Sequence, residues 1–251
     1  MSSDLSSDHW DFYSCEIDDK PHSTLVNLSL FNVAPIDTLA VFRCIEVKLR
    51  HPNPDHGMTT NEEFQPLSDM EDLIGKSETK ELKYIARQTG DCKRKFYFYS
   101  TSGFDFGSLF EKIGQAFPAY EKTTFNFEDS EWQTYFDDLY PNVIGMNEII
   151  NRSVFDQLSE AGDDLNVPRT IDHSVIFHKK KQAKDFEKIV KAKGFEVAVE
   201  SRGILKKTFD LLVQRIDPPS RLDPITLELK QLAEHLGGSY DGWGCMVATS
   251  K

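Results

Sequence analysis

Apolar residues in the first part of the chain recur mainly with the two-residue spacing of half-buried β-strands. Two such runs, at residues 10–19 and 24–34, are separated by a polar turn at 20–23 and predict a hairpin. Further strands are predicted at residues 38–50, 82–89, 93–101 and 123–129, with a turn at Gly90-Asp91. This pattern predicts a mixed antiparallel sheet.

Other segments of the same part carry apolar residues three or four positions apart, which is typical of amphipathic helices. Leu67, Met70, Leu73 and Ile74 follow i, i+3, i+6, i+7 spacing and fit one face of a helix predicted at 61–80. Three more helices are predicted at residues 104–117, 132–141 and 142–158. We therefore expect an α+β domain at residues 10–162, with helices flanking the sheet, after a disordered polar tail at residues 1–9.

The last third of the chain has a simpler pattern. It predicts strands at residues 171–177, 195–201, 208–216 and through 245–247, and helices at 181–193 and 223–236. Gly194 is placed to end the first helix, Arg202-Gly203 lies in a turn, and Asp223-Pro224 opens the second helix. The order β-α-β-β-α-β predicts a ferredoxin-like domain at residues 168–251.

The charge of the chain is unevenly distributed. The net charge is −12, yet residues 1–168 contain 14 Lys and Arg against 30 Asp and Glu, whereas residues 169–251 contain 15 against 11. This change of sign favours two domains, and we expect the linker between them at residues 161–168. The acidic first part argues against direct nucleic-acid binding and fits either a basic partner protein or a solvated surface.

Targeting and redox features are few. The first residues have neither a basic region nor an apolar run, and no apolar run approaches the length of a membrane span, so we expect a cytoplasmic protein with no membrane contact. The four cysteines, at positions 15, 44, 92 and 245, are too far apart in sequence for a CxxC pair. We expect them to be free thiols rather than a disulfide framework or a zinc site.

Catalytic motifs are also missing from the sequence. There is no GxxxxGK[ST], GxSxG, HExxH or GxGxxG, so we expect neither an enzyme nor a bound cofactor. Asp172 and His173 are adjacent on a predicted strand and should point to opposite faces, so they do not predict an acid–base pair.

One alternative would give the chain a catalytic role. His51, Asp55 and His56 share a short loop, and Asp69 and Asp72 lie one helical turn apart on the helix that follows. Such groups could hold a divalent metal in an unrecognised hydrolase or nuclease that uses residues 51–72. Pro52 and Pro54 favour a rigid turn instead, and we expect no metal.

A basic stripe is predicted on the first helix of the last third. Lys184, Lys188 and Lys191 follow i, i+4, i+7 spacing, which places them on the outer face. The lysine stripe could contact an acidic partner or phosphates, but no aromatic residues are interleaved for base stacking. A solvated charged face is the alternative interpretation.

A second candidate lies near the C-terminus, in a segment rich in glycine and aromatic residues. Its residues are Tyr240, Asp241, Gly242, Trp243 and Gly244. Glycine on either side of the tryptophan permits positive φ, which favours a structural corner. Aromatic residues on turns also anchor interfaces, so a binding epitope remains an open alternative.

The 240–244 segment, the preceding helix that begins with proline, and the phrase GFEV carry a family resemblance. Residues 168–251 resemble the regulators of ribonuclease E activity B. That resemblance implies a non-catalytic regulator that binds the endoribonuclease and lowers its cleavage of RNA. The sequence leaves open whether ribonuclease E is the partner, and it does not predict the oligomeric state.

The first part of the chain is similar to another family, known as domain of unknown function 695. The similarity is carried by the phrases HPNPDHGMTTNEEF, PLSDMEDLI, RQTGDCKRKFYFYS and EDSEWQTYFDDLYP. The two domains occur fused in bacteria, so each resemblance supports the other, and a bacterial protein is implied.

Overall fold

A computed structural model describes residues 8–202 and 208–249. The chain forms two compact units, Met1–Gly145 and Met146–Lys251. Both units combine helices with an antiparallel sheet, which confirms the α+β class and the presence of two domains. Within the described residues, no helix has the length and apolar content needed to span a membrane.

The N-terminal unit is built on a six-stranded sheet. Its strands are β1 (Trp10–Ile17), β2 (Lys20–Asn27), β3 (Val41–Lys48), β4 (Leu82–Gly90), β5 (Lys93–Ser100) and β6 (Lys122–Glu128). Their order across the sheet is β1-β2-β4-β5-β3-β6, and all neighbours are antiparallel. Strands β1 and β6 are therefore the two edges.

Two helices cover one face of this sheet, α1 (Asn61–Gly75) and α2 (Phe106–Ala116). Leu67, Met70 and Ile74 of the predicted α1 stripe are fully buried, and Leu73 is partly buried against them. The same core also contains Ile113 of α2 and the strand residue Phe98. Burial of such side chains stabilises the unit by roughly 1.5–3 kcal/mol each.

Residues 129–140 cover part of the opposite face. The ring of Trp132 stacks on Tyr99 with centroids 3.9 Å apart, and its indole N–H donates to the carbonyl of Leu39. Asp129 accepts hydrogen bonds from two backbone N–H groups that precede or begin the π-type helix Thr134–Leu139. The rest of this face is left uncovered by that segment.

The C-terminal unit contains most of α3 (Val143–Glu160) and a four-stranded sheet with two further helices. These elements are β7 (Arg169–Phe177), α4 (Lys180–Ala192), β8 (Glu196–Arg202), β9 (Thr208–Asp217), α5 (Leu222–His235) and β10 (Gly238–Cys245). The strand order is β10-β7-β9-β8, all antiparallel. Phe186 of α4 and Leu229 of α5 are buried against Val213 on one face of this sheet.

Several local predictions differ from the structure at the first hairpin. The turn is formed by Asp18 and Asp19, both with positive φ, and residues 20–23 belong to β2. The apolar segment Leu28–Asn32 is a 3-10 helix rather than a strand, because the side chain of Asn27 caps it by accepting from the N–H of Ser29.

The predictions for the two ends of the chain also differ from the structure. Asp8 and His9 are held in place: Asn27 donates to the Asp8 carboxylate, and the N–H of Leu28 donates to the carbonyl of His9. The remainder of the tail predicted at 1–9 lies outside the described residues, as does Gly203 in the predicted turn. The final strand ends at Cys245 instead of running through 245–247.

The division between the units also differs from the predicted linker at 161–168. It falls after Gly145, so α3 lies mainly in the C-terminal unit. The predicted linker itself packs against that unit: Asp163 forms an ion pair with Arg169 at 2.6 Å, and its other oxygen accepts from the N–H of Ala248. The polar composition of this segment therefore reflects a packed loop.

We predict that residues 142–251 fold as an isolated fragment, whereas residues 168–251 are much less stable. The shorter fragment lacks α3, whose Asn151 and Phe155 contact the indole of Trp243. Thermal unfolding followed by circular dichroism checks this. Equal melting temperatures for the two fragments would show that α3 is not part of the C-terminal unit.

Candidate functional site

The 240–244 segment lies in β10, an edge strand paired with β7. The register shifts between Tyr240, opposite Val175, and Gly242, opposite Ser174, so the strand contains a bulge at Asp241. In a regular strand, residues three positions apart point to opposite faces. The bulge adds one residue, so Tyr240 and Trp243 both point to the helix-covered face.

Glycine is required at one position of this bulge. Gly242 has φ of +121°, a backbone conformation that side chains with a Cβ rarely adopt. Gly244 is not among the described residues with positive φ, so only one of the two glycines has the predicted special conformation.

Tyr240 is fixed by a buried histidine. Its hydroxyl forms a 2.8 Å hydrogen bond with Nδ1 of His173, which is fully buried. Burial lowers the pKa of His173 to about 4, so the imidazole is neutral at physiological pH. Its Nε2 has no hydrogen-bond partner among the described residues. In the tautomer that carries its proton on Nδ1, the Nε2 atom has no N–H, so only its lone pair lacks a hydrogen-bond partner.

Trp243 is fixed by α3. Its indole N–H donates to Oδ1 of Asn151 at 2.8 Å, and its ring lies 5.7 Å from that of Phe155. The amide of Asn151 donates in turn to the carboxylate of Asp223 at 2.7 Å and to the hydroxyl of Thr226 at 2.8 Å. One buried amide therefore connects α3, α5 and β10.

These contacts favour a structural role for Tyr240 and Trp243. Asp241, at the bulge, is exposed and makes no hydrogen bond within the described part of the chain. A partner can therefore reach the Asp241 carboxylate, whereas Tyr240 and Trp243 are half-buried.

The lysine stripe lies on the outer face of α4, and all three of its side chains are exposed. Lys191 pairs with Glu187 at 2.6 Å, one helical turn away. Lys184 and Lys188 form no ion pair among the described residues. The lysine stripe lies on α4, which packs on β7, β8 and β9. The 240–244 segment lies in β10, which contacts α5. The two candidate sites are therefore on different elements of the unit.

The residues of the hydrolase alternative are not assembled into a metal site. His51, Asp55 and His56 are exposed, and Nδ1 of His56 accepts from the N–H of Met58. Asp69 accepts from the side chain of Gln65. Within the described residues, no group of three or more His, Cys, Asp and Glu side chains is arranged to hold a metal.

Asp172 and His173 point to opposite faces of β7, as the alternation of the strand predicts. Asp172 is exposed and accepts from Gln214, whereas His173 faces the core. They therefore do not form an acid–base pair.

The sequence interpretation missed the polar residues that hold α3. Asn147 and Asn151 lie four positions apart, and Phe155 follows after four more, so the three share one helix face. Asparagine repeated on the otherwise apolar face of a helix is the signal that could have identified them, since a buried amide needs partners.

Residues 8–140 match the model of a family of unknown function, DUF695. The match covers more than half of the 251 residues. The chain belongs to this family. Residues 148–245 of this DUF695 protein match a second family model, described as regulator of ribonuclease activity B. Both resemblances inferred from the sequence are confirmed. The second match begins inside α3, in agreement with the contacts that place this helix in the C-terminal unit.

No curated protein matches the chain. A crystal structure of an unknown protein from Galdieria sulphuraria aligns with 80% of this DUF695 chain and 96% of its own, with 9% sequence identity and a TM-score of 0.24. Similarity at this level adds nothing to the assignment.

We predict that His173 makes the stability of the protein depend on pH. The pKa of this group is lower in the folded protein than in the unfolded chain, so only the unfolded chain takes up the proton as pH falls from about 6.5 to about 4. The free energy of unfolding should fall over this range by on the order of 3 kcal/mol. Urea unfolding at several pH values measures the slope.

In the His173→Gln variant, the free energy of unfolding should fall less steeply with decreasing pH between pH 6.5 and 5. His178 is exposed, and His178→Gln is the matched control, which should keep the pH dependence of the unaltered chain. An unchanged slope in His173→Gln would contradict the assignment.

Proposed function

We propose that this protein is a non-catalytic bacterial cytoplasmic regulator that binds a ribonuclease through its C-terminal unit, with ribonuclease E as the candidate partner. The observation that carries this proposal is the match of residues 148–245 to the regulator of ribonuclease activity B family. Because these residues span nearly the whole compact unit 146–251, the resemblance applies to a folded domain and not to a short motif.

We also assign a ferredoxin-like arrangement to this unit. Two features support it: the element order β-α-β-β-α-β from β7 to β10, and the strand order β10-β7-β9-β8. The helices between the strands pack on one face of the sheet.

The lysine stripe is the surface of this unit that we propose for partner binding. Lys184 and Lys188 are exposed and form no ion pair among the described residues, so binding an acidic surface breaks no existing pair. By contrast, Tyr240 and Trp243 already make internal hydrogen bonds through their polar atoms.

The hydrolase alternative has less support. His51 and His56 are exposed on a surface loop, and the Asp69 carboxylate accepts a hydrogen bond from a neighbouring amide. Paired acid and base groups of an enzyme normally lie in an enclosed pocket, whereas these side chains are exposed to solvent.

A reconstituted cleavage assay tests the proposal. We expect the full chain to slow cleavage of a fluorescent RNA by purified ribonuclease E in a saturable manner. Lys184→Glu combined with Lys188→Glu should raise the half-inhibitory concentration by roughly tenfold, since each reversed surface charge contributes about 1 kcal/mol at most.

The matched control is Lys76→Glu combined with Lys80→Glu, which makes the same charge change at exposed positions of the other unit. This variant should inhibit like the unaltered chain. Absence of inhibition together with absence of binding to ribonuclease E would contradict the proposed partner. Cleavage of the RNA by the protein alone would favour the hydrolase alternative.

A further inference from the structure

We propose that the N-terminal unit binds an arginine-containing segment of a partner protein in the groove on the sheet face opposite α1 and α2. This inference concerns the DUF695 unit alone and goes beyond the proposed function of the C-terminal unit.

The groove includes a cavity of about 540 Å³. Its floor is formed by side chains on one face of β1, β3, β4, β5 and β6, among them Phe42, Gln88 and Tyr97. One wall is the π-type helix Thr134–Leu139, held by the hydrogen bond from the Tyr13 hydroxyl to the carbonyl of Leu139. A cavity of several hundred Å³ is large enough for a ligand or a few side chains.

Aromatic rings are the first feature that points to the ligand. Phe125 and Phe127 of the edge strand β6 line the cavity and are 43% and 45% exposed, so their rings are accessible. The ring of Phe127 lies 5.0 Å from that of the buried Phe42, which supports it from below. Exposed aromatic rings attract a cationic group, and a planar guanidinium also stacks on them.

Carboxylates are the second feature. Asp137 and Asp138 line the same cavity and are exposed. Among the described residues that line it there is no Lys, Arg or His. Nothing within the lining therefore neutralises these two carboxylates, and the cavity combines negative charge with aromatic surface. A guanidinium suits both, since it forms paired hydrogen bonds to carboxylates and stacks on rings.

The extent of the groove indicates a peptide and not a single small cation. A second cavity of about 600 Å³ shares Tyr13, Cys15, Glu16 and Asn142 with the first. The two together form a surface that passes along β1, the edge strand of the sheet. An extended peptide advances about 3.3 Å per residue and can place alternate side chains in both cavities.

Fluorescence anisotropy tests the proposal with a labelled nonapeptide of alternating glycine and arginine. We expect saturable binding to the full chain, and at least roughly tenfold weaker binding when citrulline replaces every arginine, because citrulline keeps the shape and removes the charge. N-acetyl-arginine amide should compete only at much higher concentration. Equal affinity for citrulline and arginine peptides, or equal competition by the single amino acid, would overturn the proposal.

Two double variants separate the groove from general electrostatic attraction. Asp137→Lys with Asp138→Lys, and Phe125→Ala with Phe127→Ala, should each weaken binding roughly tenfold. Glu62→Lys with Glu111→Lys is the control. It makes the same charge change at exposed positions on α1 and α2, on the other face, and should change affinity less than about twofold. Equal weakening by this control would overturn the proposal, and melting curves confirm that each variant is folded.

Thiol labelling locates the bound peptide directly. Cys15 lines both cavities, whereas Cys92 is exposed outside them. A saturating concentration of the arginine peptide should slow maleimide labelling of Cys15 severalfold and leave that of Cys92 unchanged. Unchanged labelling of Cys15 at saturation would place the peptide elsewhere and overturn the proposal.

Discussion

The position of α3 in the C-terminal unit depends on buried side-chain amides, of which that of Asn151 contacts both α5 and β10. Asn151 is 1% exposed, and its side chain bonds to Trp243, Asp223 and Thr226. A buried amide without partners costs about 1–3 kcal/mol per unsatisfied group, so the arrangement that satisfies all of its bonds is favoured by that amount. Shape and hydrogen bonding together therefore fix α3 on α5 and β10.

This constraint determines how the 240–244 segment can function. Tyr240 and Trp243 must point to the same face to reach His173 and Asn151, and the bulge at Asp241 with positive φ at Gly242 makes that possible. The unusual composition of the segment thus has a structural explanation. The lysine stripe, which we propose as the binding surface, lies instead on the exposed face of α4.

The sequence predicted the features that depend on local periodicity. The buried stripe of α1, the hairpin of β4 and β5, and the order of elements in the C-terminal unit all follow from apolar spacing. Features that depend on one specific side-chain hydrogen bond were not predictable in this way. The side chain of Asn27 caps a 3-10 helix in an apolar segment whose pattern predicts a strand. Asp163 accepts a hydrogen bond from Ala248 and so holds a polar segment whose composition predicts a linker.

The candidate sites show the same division. Spacing placed the lysine stripe on an exposed helix face, and strand alternation separated Asp172 from His173. The aromatic groove of the N-terminal unit could not be predicted, because Phe42 and Phe127 are far apart in sequence and meet only through the pairing of β3 with β6. Its carboxylates come from yet another segment, so only the assembled sheet brings them together.

A double-mutant cycle between Asn151 and Trp243 tests most directly whether their hydrogen bond holds α3 in the C-terminal unit. The free energy of unfolding is measured for the unaltered chain, Asn151→Ala, Trp243→Phe and the double variant. If the hydrogen bond holds α3 in place, the coupling energy should be about 1–2 kcal/mol. Additive effects, within about 0.3 kcal/mol, would contradict the account.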